Sequence, residues 1–136
     1  MKHYELLEHT ADVGIKAYGK TLAEAFEHAA EGMFDIITDE SVIELIGEYN
    51  IRLEAPDLEQ LLVDWLSQLL FLNGAYDFVF GKFEVTLTGN RLSAYVFGEK
   101  YDTKKHRMGV EIKAVTYHML QVSEKAPIFV QVLFDI

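Results

Sequence analysis

Two stretches of the chain place apolar side chains at helical spacing. In residues 21–38, TLAEAFEHAAEGMFDIIT, the apolar positions are Leu22, Ala25, Phe26, Ala29, Ala30, Met33, Phe34 and Ile37. That three-and-four spacing draws one stripe down a helix. Thr21 predicts the N-cap, and Glu24 three residues on completes a capping box. Residues 57–74, DLEQLLVDWLSQLLFLNG, repeat the pattern with Leu58, Leu61, Leu62, Trp65, Leu66, Leu69 and Leu70. Here Asp57 is the expected cap, Gln60 the residue that reaches back to it, and Asn73-Gly74 the stop.

The rest of the chain alternates with period two, the mark of half-buried strands. Strands are predicted at about Tyr4–Leu7, Gly14–Tyr18, within residues 42–55, at Thr116–Val122 and at Ile128–Phe134, with two more in 82–99 hinged on Gly89-Asn90. Gly81-Lys82 reads as a turn. Strands that mostly follow one another directly imply antiparallel pairing. The fold class is therefore α+β: antiparallel β-sheets with two amphipathic α-helices packed on them, in a single domain spanning residues 1–136.

Composition narrows the function. The chain has 136 residues, no cysteine and only two prolines, so disulfides, zinc ribbons and thiol catalysis are excluded. No apolar run approaches the roughly 20 residues of a membrane span, and the opening MKHYELLEHT lacks the apolar core of a signal peptide; a cytoplasmic protein with no membrane partner is expected. Twelve Lys and Arg against 22 Asp and Glu leave a net charge of −10. Such a surface repels phosphate backbones, which disfavours direct nucleic-acid binding, and it suits a basic protein partner. The one basic cluster, Lys104-Lys105-His106-Arg107, reads as a solvated loop.

Signatures of nucleotide binding and hydrolysis are absent: there is no Walker A, no G-x-G-x-x-G after a strand, no G-x-S-x-G and no H-E-x-x-H. His28 reads as part of a solvated helix face, and His118 lies in a predicted strand, on its surface or lining a pocket. His9 is a stronger candidate because Asp12 follows three residues later, although a turn-stabilising hydrogen bond accounts for it equally well. Asp12 in HTADVGI and Asp135 at the end of PIFVQVLFDI carry the sharpest question. An aspartate capping a turn and another on a solvated strand end would need no further explanation. If instead Asp12, Asp135 and the Ile136 carboxylate converge, each pair of charges about 4 Å apart costs roughly 4 kcal/mol at an effective dielectric of 20. A hard divalent cation or a lysine must then offset them, and Lys113 in EIKAVTYH is the available base.

Four blocks, EHTADVGIKAYGKTLAEAFEHAAEGMFDIITD, DLEQLLVDWLSQLLF, EIKAVTYHMLQV and VLFDI, together resemble the archease family over nearly the whole chain. The resemblance implies a non-catalytic protein cofactor of an RtcB-type RNA ligase in tRNA splicing and RNA repair. Such a cofactor promotes guanylylation of the ligase's active-site histidine and multiple turnover, and its link to tRNA is indirect. It also implies a metal site carried by Asp12, Asp135 and Ile136, with Lys113 as the lysine of the KAVT block; His9, from its spacing to Asp12, is kept with Lys113 as a candidate binding residue. The expected cofactor is a divalent metal ion: calcium, or magnesium or manganese, which oxygen ligands accept alike. Two other readings stay open. One is an independent metal-dependent hydrolase using the same carboxylates to activate water, and the other an interaction module with an incidental ion.

Overall fold

Each predicted helix starts where its cap residue dictates. The structure, a computed structural model, describes residues 3–9 and 12–136, and of Glu8 and His9 the backbone alone. Helix α1 covers Leu22–Thr38, and the Thr21 hydroxyl accepts the Glu24 amide at 3.1 Å. The Glu24 carboxylate reaches back to the Lys20 amide at 3.0 Å, one residue before the cap. Helix α2 covers Leu58–Tyr76, with Asp57 Oδ1 accepting the Gln60 amide at 2.8 Å. The Gln60 side chain turns away from the cap and donates to Asp64 at 2.8 Å and to the Tyr117 hydroxyl at 3.1 Å. Nor does Asn73-Gly74 stop α2. The last turn continues because Tyr76 stacks on Tyr49, ring centroids 6.3 Å apart, and Asp77 ends the helix in the left-handed region.

Among the described residues, eight strands make up two antiparallel sheets. The first holds β1 (Tyr4–His9), β2 (Asp12–Tyr18), β8 (Phe129–Asp135), and, on the other edge of β8, β6 (Ala114–Val115) and β7 (Gln121–Ser123). The second is ordered β3 (Gly47–Glu54), β5 (Arg91–Lys100), β4 (Phe78–Thr88). The hairpin at Gly89-Asn90 is as expected, with Thr88 opposite Arg91 and Gly89 at positive φ. Each helix touches both sheets, and the inner faces meet in one buried cluster around Trp65, Phe26, Phe34, Phe80 and Phe134. Trp65 is fully buried and its indole N–H donates to the Phe26 carbonyl at 3.0 Å, tying α2 to α1. Among the described residues no helix is long and apolar enough to cross a membrane.

Three strand expectations are corrected. Residues 42–46 lie outside β3; the Glu44 and Ile46 amides donate to the Glu99 side chain and the Gly98 carbonyl of β5, and Ile43 lies against Gly81 so closely that a Cβ on the glycine would sit 2.9 Å from it. Gly81 and Lys82 therefore form no turn but lie inside β4, at a bulge between Phe80 and Lys82. Of the expected strand at 116–122 only Gln121 and Val122 lie in a strand, β7, while β6 ends at Val115, just before it. Between them the chain leaves the ladder, because Thr116 takes the Leu133 carbonyl with both its amide and its hydroxyl at 3.0 Å, and a turn follows with Met119 at φ 55°.

Candidate metal site on the outer face of the first sheet

Strands β1 and β2 both run longer than the hydrophobic alternation suggests, and this extension builds the site. Asp12 is the first residue of β2, inside the ladder, and its register partner on β8 is Asp135. On the other side of each strand the same row continues to His9 on β1 and Ala114 on β6. The Lys113 amide donates to the Asp135 carbonyl at 2.8 Å, so the KAVT segment is pinned beside the row. Three remote stretches of sequence thus converge on one end of one sheet face.

The glycine of HTADVGI has its own reason. Residues two apart on a strand share a face, so Gly14 follows Asp12 on the outer side, opposite Leu133. A Cβ on Gly14 would lie 2.3 Å from Leu133 Cδ2 and 2.8 Å from the Val132 carbonyl oxygen. Leu133 is accordingly buried. The carboxylate row is bordered by this packed apolar row, which fixes the strand register that keeps the two aspartates opposite each other.

Like charges directly opposite on neighbouring strands destabilise a sheet. Asp12 is half-buried, whereas Asp135, Lys113 and Ile136 are more exposed. Among the described residues no ion pair joins the Lys113 ammonium to Asp135, and no group of three or more His, Cys, Asp or Glu gathers at metal-binding distance. What is present is a carboxylate pair with the Ile136 carbonyl next in sequence. The donors are all hard oxygen and supply fewer than the six to eight that calcium takes, so they fit a hard divalent cation that keeps water or accepts further oxygens. The His9 side chain lies outside the described residues. His118 does not sit in a strand; it is exposed in the turn after Thr116.

A second polar cluster, on the other sheet, was not legible in the sequence. Glu99 on β5 is only 7% exposed and accepts from Lys105 Nζ at 2.5 Å, from the Glu44 amide at 2.7 Å and from His106 Nε2 at 2.9 Å. Because the Asp102 amide donates to His106 Nδ1 at 2.9 Å, the proton sits on Nε2 and points at Glu99. Burial alone would push the Glu99 carboxyl up, but the bonds from Lys105, the Glu44 amide and His106 outweigh it and hold the group down at about 2. Of Lys104-Lys105-His106-Arg107, three are exposed in a loop as expected, but His106 is buried, and the loop is anchored by Lys105, which also pairs with Glu44 at 3.1 Å, and by Arg107, which pairs with Asp39 at 3.1 Å. Likewise, His28 is not merely a solvated helix residue. Its Nδ1 lies 2.5 Å from the Tyr18 carbonyl and its ring stacks on His3.

Comparison with known proteins assigns the chain. Residues 4–136 match the model of the Archease protein family (MTH1598/TM1083). The protein archease of Methanosarcina barkeri is 45% identical over 130 residues, covering 92% of this chain and 89% of its own. That of Pyrococcus furiosus is 42% identical over 131 residues, with 93% and 92% covered. The solution structure of Methanobacterium thermoautotrophicum protein 1598 superposes with a TM-score of 0.84 at 34% identity, covering all of both chains. A crystal structure from Thermotoga maritima, of an archease described as a possible chaperone, has the same fold, with a TM-score of 0.62 at 24% identity over 96% of this chain and 94% of that one. With its fold matched over the whole chain and its sequence over residues 4–136, the chain belongs to the archease family.

Proposed function

We infer that this chain is a protein cofactor of an RtcB-type RNA ligase in tRNA splicing and RNA repair, and that it catalyses no bond-making step itself. It promotes guanylylation of the ligase and multiple turnover by presenting an acidic, cation-holding site to the ligase's active-site entrance. The observation that carries this reading is the register pairing of Asp12 with Asp135, with the Lys113 backbone bonded alongside, in a member of this family.

Asp12, Asp135 and the Ile136 carbonyl would hold a divalent cation, calcium or else magnesium or manganese. When bound, it supplies positive charge and open coordination positions for a partner's oxygens. This chain contributes position and field: the ladder holds the carboxylates on a rigid strand pair, and Lys113 adds a donor beside them. A net charge of −10 favours encounter with a basic, RNA-handling enzyme over contact with RNA itself. A role as chaperone, the description given for the Thermotoga maritima relative, also works through a protein partner.

The test is ligase guanylylation and multiple-turnover joining in limiting metal, with wild type, Asp12→Ala and Asp135→Ala proteins whose folding is verified by circular dichroism. Wild type should stimulate both steps and each variant should lose most of that stimulation. Undiminished stimulation by both variants would reject the carboxylate site, and phosphoester hydrolysis by the purified chain alone would favour an independent hydrolase.

A further inference from the structure

The row Gln60, Asp64, Ser67, Phe71 runs down the side of α2 away from its core stripe, and its last member is an aromatic ring 56% exposed. Phe71 forms one wall of a groove of about 320 Å³ whose other wall is Lys113, Ala114 and Val115, the segment that carries β6. Past β6 the chain enters the turn that exposes Tyr117 at 62% and Met119 at 51%. That turn is held by many bonds: Thr116 to the Leu133 carbonyl, the Met119 carbonyl to Gln131 Nε2 at 2.9 Å, and the Tyr117 hydroxyl to Gln60 Nε2 at 3.1 Å. Met119 keeps a left-handed backbone that a non-glycine residue seldom adopts.

Two aromatics and a methionine exposed on ordered backbone, and running continuously into Asp135 through the β6–β8 pairing, have the composition of an interface centre. The surrounding charge specifies the occupant. Asp57, Glu59 and Asp64 on or before α2, Glu111 before β6 and Glu124 after β7 are acidic, and Lys113 is the cation at the groove. We propose that the face made by Phe71, Lys113–Val115 and the Tyr117–Met119 turn is the docking surface for a basic protein segment that seats an apolar side chain in the groove and thereby delivers its partner to the Asp12–Asp135 pair. This rests on the proposed function, and it assigns affinity to apolar side chains that lie outside the carboxylate site.

The experiment measures affinity of the full chain for an RtcB-type ligase by calorimetry across a salt series, using wild type, Phe71→Ser, Tyr117→Ser and, as a control on the opposite sheet, Tyr95→Ser. Tyr95 is exposed on β5. Phe71→Ser and Tyr117→Ser should each weaken binding at least tenfold, Tyr95→Ser less than twofold, and wild-type affinity should fall with added salt. The calcium-induced rise in melting temperature should be the same in all four proteins, which separates docking from ion binding. Wild-type binding retained in both groove variants would overturn this inference alone, whereas a wild type that neither binds nor stimulates the ligase would overturn the proposed function with it. Sedimentation showing that the same variants abolish self-association but not ligase binding would assign the face to a second copy of the chain and reject the basic partner.

Discussion

Replacing Glu99 by glutamine should cost the protein stability that depends on pH in a calculable way. The carboxylate is buried, and its three donors, Lys105, the Glu44 amide and His106, hold it at about 2 against an ordinary 4.5. A folded-state value below the unfolded one means stability that is fully present above the unfolded value and is lost as pH falls toward the folded one. At 1.36 kcal/mol per unit the depression corresponds to about 3 kcal/mol at pH 7, falling to about 1 kcal/mol at pH 3. Glutamine keeps the volume but turns an acceptor into a group that presents N–H to Lys105 and His106, so the variant should lose this contribution at neutral pH. Lys105 is more exposed than Glu99 and can be rehydrated, which keeps the loss near 2–3 kcal/mol, below the 3–5 kcal/mol typical of a fully buried broken pair. Urea unfolding of wild type and variant at stepped pH from 7 to 3 reads the difference directly, since other carboxylates titrate in both proteins. A deficit below 1 kcal/mol at pH 7, or one that stays constant down to pH 3, would refute the reasoning.

Gly14→Ala should destabilise by about 1–3 kcal/mol, because the added methyl meets Leu133 and the Val132 carbonyl inside the ladder; thermal melts check this, and the calcium response should weaken with the strained register. Trp65→Phe removes the donor to the Phe26 carbonyl and leaves unfilled volume at the helix contact, an expected loss of about 2–4 kcal/mol in urea unfolding. Asp135→Asn should raise stability in chelator by about 0.2–1 kcal/mol through relief of the cross-strand repulsion with Asp12. It should also abolish the rise in melting temperature expected of the wild type in millimolar calcium, and a variant that keeps the full rise would exclude Asp135 as a ligand.

What the sequence disclosed follows from the range over which each signal acts. The helices were legible because caps and stripes are local: Thr21 and Asp57 bond amides three residues on, and the periodic leucines need no distant partner. The Gly89-Asn90 hairpin was legible for the same reason. Where distant packing decided, the alternation misled. Residues 42–46 have strand-like composition, yet Ile43 is drawn over Gly81 and the Glu44 amide is captured by Glu99, 55 residues away. Residues 116–120 alternate as a strand would, but Thr116 diverts the Leu133 carbonyl and the chain turns out of the sheet. In the loop 104–107 the exposure of three residues was legible, but the anchoring of Lys105 and His106 was not, because nothing near them in sequence shows that Glu99 lies buried beside them.

The candidate site divides in the same way. Composition and the position of Asp12 between two strands raised the prospect of a carboxylate cluster, yet the pattern had Asp12 preceding its strand, where it would merely cap a turn. What places it opposite Asp135 is the extension of β2 by two residues, and that extension depends on Gly14 being bare enough for Leu133 to lie across it. The strand partner is a segment more than a hundred residues away, so no local signal encodes the pairing. The pairing is held by apolar packing in the row beside the aspartates and not by the aspartates, which repel. A sheet that forces two carboxylates together through a leucine over a glycine keeps them apposed whether or not a cation is bound. That is the condition for a site able to capture a cation, and present it to a partner, without refolding.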